Sequence, residues 1–164
     1  KVWPAILAVL VVAAAVPLLA RLRGEGLSLG RKAPDFTLAY LEGGGTVSLK
    51  GLRGQVVLLN FWSAACPPCR EKMPVMQRLY EELRASGFVI LAVNVNDLPA
   101  LAREFVRQNS YTFPVLKDDG AVGRLYEVRF IPKTVLLDRD GVIRQIRVGA
   151  TGEQELRQMV EEWL

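Results

Sequence analysis

The chain has two cysteines, Cys66 and Cys69, and only two prolines separate them. Sulfurs at this spacing can join in a short loop, so the pair could cycle between a disulfide and a dithiol. The residues before Cys66 form an apolar run and those after it have helical spacing, which predicts that Cys66 lies at a helix N-terminus. Unpaired amides and the positive end of the helix dipole should lower the pKa of Cys66 below about 8.5. Cys66 is therefore predicted to attack a disulfide, and the more buried Cys69 to resolve the mixed disulfide.

Other uses of a cysteine pair fit the sequence less well. A structural disulfide across so short a loop would constrain little of the unfolded chain. A zinc site lacks ligands, because the chain has no third cysteine and no histidine. Haem attachment through Cys-x-x-Cys-His would need histidine where Arg70 stands, and a peroxiredoxin Pro-x-x-x-Thr-x-x-Cys pattern would need proline at Leu59 and threonine at Ser63. We therefore expect neither a metal nor another cofactor.

The elements that must position the two cysteines are predicted on either side of them. Residues 55–61 form a nearly continuous apolar run, which is typical of a strand buried on both faces. In the helix that follows, charged residues such as Lys72 lie mainly between the members of an inward apolar stripe: Cys69, Met73, Met76, Tyr80 and Leu83. Pro67 and Pro68 lack amide hydrogens and fix their own φ angles, so they should hold the turn and tune the redox potential.

The rest of the chain alternates between strands and helices. Turn residues and apolar periodicity predict an N-terminal hairpin around residues 43–45 and further strands at 88–94, 113–116, 134–137 and 142–148. Helices are predicted after Asp97, which should cap one of them, at residues 121–126, and after Thr151, which opens a capping-box pattern. This order implies an α/β fold in which helices cover both faces of a mixed sheet.

The first part of the chain has a different character. Residues 2–20 are nineteen consecutive residues without a charge, and as a helix they would be about 28 Å long, close to the thickness of a bilayer core. We predict a transmembrane anchor at residues 1–22, a linker at 23–32 and one folded domain at 33–164. A cleavable signal peptide ending near Ala13-Ala14-Ala15 is the alternative.

The charge distribution separates the same two parts. Residues 1–32 hold five of the 21 basic residues and one of the 17 acidic residues, and so carry the whole net charge of +4. This basic flank suits lipid headgroups, whereas the neutral remainder gives no support for nucleic-acid binding. By the positive-inside rule the same flank would place the folded domain in the cytoplasm, in conflict with the location inferred below.

Several motifs in combination resemble those of the thioredoxin fold, and more narrowly those of the TlpA/ResA-like membrane-anchored thiol-disulfide oxidoreductases. The resemblance covers residues 33–164, and its motifs are Ala33-Pro34-Asp35-Phe36-Thr37-Leu38, Val57-Leu58-Leu59-Asn60-Phe61-Trp62, the stretch from Cys66 to Pro74, Thr112-Phe113-Pro114-Val115-Leu116 and Leu136-Leu137-Asp138-Arg139-Asp140-Gly141. It implies a thioredoxin-like fold with a central mixed β-sheet, helices on both faces, an N-terminal β-hairpin and an N-terminal transmembrane helix.

The resemblance also implies roles for individual residues. Cys66 matches the nucleophile and Cys69 the resolving cysteine of the family. Pro132 matches a cis-proline that lies across from the dithiol, where the backbone of Ile131 would offer a strand-like edge to a substrate peptide. Three further residues are expected at the substrate surface: Trp62, Pro67 and Pro68.

Three residues are candidates for tuning the pKa of the cysteines. Asn60 stands where thioredoxin keeps a buried acid, so a proton relay for the resolving cysteine would have to use Glu71 or water. Lys133 is expected to be a solvated surface lysine or, alternatively, a cation that stabilises the thiolate of the nucleophile. Ala65 replaces the tryptophan that usually precedes the first cysteine, which affects the expected substrate surface more than the chemistry.

These features predict a single-pass protein of the cell membrane whose thioredoxin-like domain lies outside the cytoplasm and reduces disulfides. The expected partners are cysteine-containing proteins such as apocytochrome c, a membrane thiol-disulfide protein that supplies electrons, and the bilayer around residues 2–20. Two alternatives stay open, namely an oxidant that introduces disulfides and a non-catalytic binding module that uses the groove at Pro132.

Overall fold

The seven strands of the computed structural model, which describes residues 26–164, form one mixed sheet. The strands are β1 (Thr37–Tyr40), β2 (Thr46–Ser48), β3 (Val56–Trp62), β4 (Phe88–Asn94), β5 (Val115–Lys117), β6 (Lys133–Leu137) and β7 (Ile143–Val148). Their order across the sheet is β2-β1-β5-β4-β3-β6-β7. β4 is parallel to both β3 and β5, and all other neighbours are antiparallel. The predicted mixed sheet is confirmed, and β3, which leads to the cysteines, lies inside it.

Helices cover both faces of this sheet. They are α1 (Pro67–Leu83), α2 (Pro99–Gln108), α3 (Ala121–Leu125) and α4 (Glu153–Glu161), and short 3₁₀ turns occupy Leu49–Leu52 and Arg84–Ser86. α1, α2 and α4 share one core with the even-numbered apolar residues of β3. The odd-numbered residues of β3 face a second core, to which α3 contributes Val122. Because every residue of β3 is buried, as its apolar run predicts, the strand has no solvent face.

Helix α1 follows the predicted apolar stripe with two differences. Its buried residues are Cys69, Lys72, Met73, Met76 and Leu79. Tyr80 and Leu83, predicted to face inward, are only partly buried at the edge of the core. The larger difference concerns Lys72, which was placed among the charged residues between the members of the apolar stripe and is 3% exposed. The inner face of α1 therefore includes a lysine close in sequence to the second cysteine.

Both predicted side-chain caps are wrong. The residue before α2 is Leu98, and no side chain caps that helix, because the carboxylate of Asp97 is bonded to the loop that precedes Cys66. The residue before α4 is Gly152, and Thr151 makes no capping bond either. Pro99 is the first residue of α2. Amides in the first turn of a helix have no partner within the helix, so the missing amide hydrogen of proline costs no hydrogen bond there.

The predicted β6–β7 hairpin is confirmed. The Asp138 carboxylate accepts hydrogen bonds from the amides of Asp140 and Val142 and from the Arg144 guanidinium. Burial by itself raises the pKa of Asp138, but these donors outweigh it and hold the pKa below its usual value. Gly141 completes the turn with a φ of 70°, which glycine adopts without steric cost. This hairpin fixes the strand that follows Pro132.

The predicted transmembrane segment at residues 2–20 lies outside the described residues. Within residues 26–164, no helix combines the length and the apolar character that crossing a bilayer requires. β1 and β2 pair in antiparallel fashion on either side of the glycines at 43–45.

Candidate active site

Cys66 and Cys69 form a disulfide at the start of α1. Cys66 is the N-cap residue of the helix, with extended backbone, and its sulfur accepts a hydrogen bond of 3.3 Å from the amide of Cys69. The prediction that Cys66 lies at a helix N-terminus is therefore confirmed. In the dithiol state the same amide and the helix dipole would favour a Cys66 thiolate.

The two sulfurs differ in their access to solvent. Cys69 is wholly buried in the core beneath α1, whereas Cys66 is partly exposed and packs at the edge of that core. Between them, Pro67 is exposed and Pro68 is half-buried, so both prolines can meet an approaching polypeptide. A disulfide or thiol from outside can therefore reach Cys66 but not Cys69.

The loop before β6 brings a backbone edge next to the disulfide. The peptide bond between Ile131 and Pro132 is cis, as predicted, and the carbonyl oxygen of Ile131 lies 3.9 Å from the Cys66 sulfur. Since a disulfide sulfur has no hydrogen, this is a van der Waals contact. Phe130, one residue earlier, is 73% exposed. The backbone of Ile131 therefore lies beside Cys66, whereas the Pro132 side chain is buried.

Asp97 holds the segment between β3 and the first cysteine. Its carboxylate accepts hydrogen bonds from the Ser63 hydroxyl at 2.7 Å, the Ala64 amide at 2.6 Å and the Asn94 side-chain amide at 2.6 Å. The Ser63 carbonyl in turn accepts a bond of 3.2 Å from the amide of Cys66. The sequence pattern did not indicate this role. The available signal was that strands were predicted at residues 55–61 and 88–94, so that in a parallel pair their carboxyl ends would meet.

Trp62 does not have the role predicted for it. Its side chain is wholly buried and packs against the ring of Phe105, with centroids 5.6 Å apart. A substrate cannot contact a side chain without exposed surface, so the prediction of a substrate-binding Trp62 is wrong. The buried ring of Trp62 lies below the cysteine loop and supports it.

Lys133 differs from the predicted solvated surface lysine, because it is only 6% exposed. Its ammonium donates hydrogen bonds to the carbonyls of Tyr126 at 2.7 Å and Glu127 at 3.0 Å. Burial lowers the pKa of Lys133. Lys133 is paired with Phe61, whose side chain belongs to the core on the sheet face opposite α1. The Lys133 ammonium therefore binds the Tyr126 and Glu127 carbonyls on the sheet face opposite the one that α1 and the cysteines cover.

The other two tuning candidates lie in different surroundings. Glu71 is exposed on α1, so it can reach solvent but not the interior. Asn60 is wholly buried, its side-chain oxygen lies 3.4 Å from the Thr134 hydroxyl, and its amide nitrogen has no hydrogen-bond partner within the described residues. The hydroxyl of Thr134 also accepts a hydrogen bond from the buried ammonium of Lys72. Thr134 thus links Asn60, at the place of thioredoxin's acid, to a buried lysine that the sequence pattern did not single out.

A surface cleft of about 310 Å³ lies beside Pro67. Its walls include Phe105 and Tyr111, and the Arg70 guanidinium lies 5.5 Å from the centre of the Phe105 ring. Burial raises the pKa of Tyr111, so this phenol stays neutral at physiological pH.

Among residues 26–164, no three side chains of the kinds that bind metals lie together.

Comparison with known proteins agrees with this geometry. The family described as AhpC/TSA matches residues 29–146. The thiol-disulfide oxidoreductase ResA of Halalkalibacterium halodurans is 38% identical over 82% of this chain and 74% of its own length. The thioredoxin-like protein YneN of Bacillus subtilis is 37% identical over 83% of this chain and 81% of its own length.

Solved structures give the same result. A Chlorobium tepidum protein provisionally assigned as the thiol:disulfide interchange protein DsbE superposes with a TM-score of 0.78 at 35% identity, covering 84% of this chain and 98% of that protein. StoA of Bacillus subtilis superposes with a TM-score of 0.67 at 26% identity, covering 77% of this chain and 96% of StoA. The chain therefore belongs to the AhpC/TSA family of thioredoxin-like proteins and is a thiol-disulfide oxidoreductase of the ResA and DsbE type.

Proposed function

We propose that this oxidoreductase reduces disulfides in polypeptides outside the cytoplasm, with apocytochrome c as the leading candidate substrate. One observation carries the proposal: the two sulfurs are joined at a helix N-terminus, yet only that of Cys66 is accessible from solvent. An exposed attacking thiol and a buried resolving thiol are what a reductase needs to release its product.

The proposed reaction has two exchanges. The Cys66 thiolate attacks one sulfur of a substrate disulfide, forming a mixed disulfide and expelling the other substrate sulfur as a thiolate, which takes a proton from water. The Cys69 thiolate then attacks the Cys66 sulfur, and the second substrate sulfur leaves. The substrate disulfide gains two electrons and the protein dithiol loses two, leaving the disulfide state described above. A membrane thiol-disulfide protein would return the two electrons.

The substrate would dock along the loop that contains Ile131 and Pro132. Its backbone lies beside Cys66, and an extended peptide can pair with such an edge through main-chain hydrogen bonds. The exposed Pro67 and the half-buried Pro68 would contact the residues around the substrate cysteine, and exposed Phe130 offers an apolar contact. Main-chain pairing with few side-chain contacts suits an enzyme that accepts more than one protein.

The proposed membrane attachment rests on residues 2–20, and the proposed side of the membrane rests on the redox chemistry. A helix of residues 2–20 would hold the domain at the bilayer, and the basic residues after it would contact anionic headgroups. We place the domain outside the cytoplasm because protein disulfides that need a dedicated reductant occur mainly in oxidising compartments.

Replacing Cys69 with alanine should trap substrates. Cys66 could still attack, but no second thiol would release the mixed disulfide, so the substrate would stay covalently bound. The measurement is recovery of the variant from native membranes under non-reducing conditions, followed by identification of proteins that reducing agent releases. We expect apocytochrome c or other exported cysteine proteins.

The matched control is the double variant Cys66→Ser with Cys69→Ala, which has no thiol and is expected to keep the fold. It should capture nothing. Equal capture by the two variants would show that the adducts do not form through Cys66, and the proposed division of roles would be wrong.

A further inference from the structure

A buried lysine lies on the same helix face as the resolving cysteine. Lys72 is 3% exposed, and its ammonium donates a hydrogen bond to the hydroxyl of Thr134. Within residues 26–164, no carboxylate forms an ion pair with it, although lysines are almost never buried without a charged partner. Keeping such a charge in the interior costs stability, which calls for a functional explanation.

The position of Lys72 relative to Cys69 follows from the helix. Residues three apart on a helix are neighbours, with Cβ atoms about 5–6 Å apart, and both side chains point from α1 into the protein. Thr134, which receives the lysine's hydrogen bond, pairs across the sheet with Asn60, and its strand begins directly after Pro132. The ammonium is therefore enclosed between α1 and the two strands below the disulfide.

The same lysine also borders solvent on one side. A cleft of about 250 Å³ lies between the first turns of α1 and the residues before α4, and its walls include Pro68, Glu71 and Lys72. The buried lysine therefore lies at the edge of the core, next to this cleft.

Among the described residues, the carboxylates around Lys72 are paired with arginines or face solvent. Glu155 on α4 attracts its ammonium, but the Glu155 carboxylate is already paired with Arg147 of β7 at 3.0 Å. Glu153, in the wall of the cleft, is bonded to Arg78 at 2.6 Å, and Glu71 faces solvent. Burial lowers the pKa of Lys72 to about 8, with Glu155 partly opposing the shift. At neutral pH the amine is still mostly protonated and can lose its proton close to physiological pH.

We propose that Lys72 is a positioning residue for the redox reaction, whose ammonium stabilises the thiolate of Cys69 and so promotes release of the substrate from Cys66. The inference rests on the proposed roles of the two cysteines. A thiol buried in apolar surroundings resists ionisation, and a cation nearby opposes that resistance.

The step balances without any added reactant. The Cys69 thiol loses its proton, and the thiolate attacks the Cys66 sulfur while the substrate sulfur leaves as a thiolate. The departing thiolate takes up a proton, so the net change is the transfer of one proton from Cys69 to the substrate. Lys72 keeps its own proton and gains a favourable charge interaction only while the thiolate exists. The cation therefore favours the dithiol state over the disulfide and raises the reduction potential of the pair.

The test measures the pKa of Cys69 when it is the only thiol. In reduced Cys66→Ser protein, the ultraviolet absorbance of the thiolate is titrated with pH, and a variant with both cysteines replaced by serine supplies the baseline. Adding Lys72→Met should raise the pKa of Cys69 by about one pH unit or more. Adding Lys117→Met, which removes an exposed lysine from β5, should leave it unchanged.

A structural role predicts a different result. If Lys72 contributed only to packing, a methionine of similar length would leave the pKa of Cys69 unchanged. Replacing a buried charge by an apolar side chain is often neutral or stabilising, so Lys72→Met should melt no lower than the parent. If the Lys72→Met variant does not fold, Lys72→Gln replaces it and should raise the pKa of Cys69 in the same way.

A second measurement uses the intact cysteine pair. At a pH above the pKa of Cys69, where the thiolate predominates, Lys72→Met should shift the equilibrium with glutathione about tenfold towards the disulfide, which lowers the potential by roughly 30 mV. An unchanged Cys69 titration together with an unchanged equilibrium would overturn the inference even if the Cys69→Ala variant traps substrates. If the titration shifts but nothing is trapped, the proposed reductase function fails and the influence of Lys72 on Cys69 stands.

Discussion

Replacing Cys66 with serine should lower the rate of disulfide reduction by ~10³-fold or more, to the level of the reaction without protein. A serine hydroxyl has no thiolate form near neutral pH, and wholly buried Cys69 cannot meet a substrate in its place. The measurement is the stopped-flow rate at which reduced protein reacts with a short disulfide-bonded peptide.

The matched control is Cys69→Ser, which removes the other thiol of the pair. It should form the mixed disulfide at nearly the normal rate and then stall, so the two variants fail at different steps. Comparable initial rates for Cys66→Ser and the unchanged protein would contradict the assignment of the attacking thiol. A non-catalytic binding module would also bind the peptide equally well with serine at position 66.

Replacing Asp97 with alanine should cost about 3 kcal/mol of unfolding free energy, because three hydrogen bonds to one carboxylate are lost together. The Ser63 hydroxyl and the Ala64 amide would lose their partner, and the loop that sets the position of Cys66 would loosen. We expect a lower midpoint of denaturant unfolding and a slower reaction of Cys66 with the peptide disulfide.

The variant Asp97→Asn provides the graded comparison for this prediction. Its side-chain oxygen can still accept at least one of the three bonds, so it should lose less stability than the alanine variant. If alanine and the original aspartate gave equal stability and equal rates, the loop would have to be held by other contacts, and Asp97 would not position the site.

The elements around the cysteines could be predicted because their periodicity is strong. An apolar run of the length of β3 fits a buried strand, and the spacing of Met73 and Met76 from Cys69 fits a helix that packs against it. The cysteine at the junction then follows from chain order alone. The resemblance to thioredoxin-like proteins added the cis peptide bond before Pro132, which composition and spacing could not supply.

The surroundings of the dithiol could not be predicted in the same way. A helical pattern places lysines on the solvent side, and the burial of Lys72 depends on Thr134, which is 62 residues away in sequence. The same applies to Lys133. β6 is covered on both faces, so the alternation of its side chains does not identify a solvent face, and all of its residues are buried.

Asp97 and Trp62 show a second limit of local patterns. An aspartate just before a helix that begins with proline has the features of a cap. The Asp97 carboxylate instead accepts hydrogen bonds from Ser63 and Ala64, so it is not available to cap the helix. Trp62 was expected at the substrate surface from the family resemblance. Its place at the end of a strand buried on both faces directs the ring into the core instead.

The reduction potential of the Cys66–Cys69 pair tests the central claim, that this pair delivers electrons to substrate disulfides. It is obtained by equilibrating the protein with defined ratios of reduced and oxidised glutathione and counting free thiols after acid quenching. A reductase should have a potential below about −200 mV, where the dithiol readily gives up its electrons. A potential near about −120 mV would mark the pair as an oxidant that introduces disulfides and would contradict the proposed direction of electron flow.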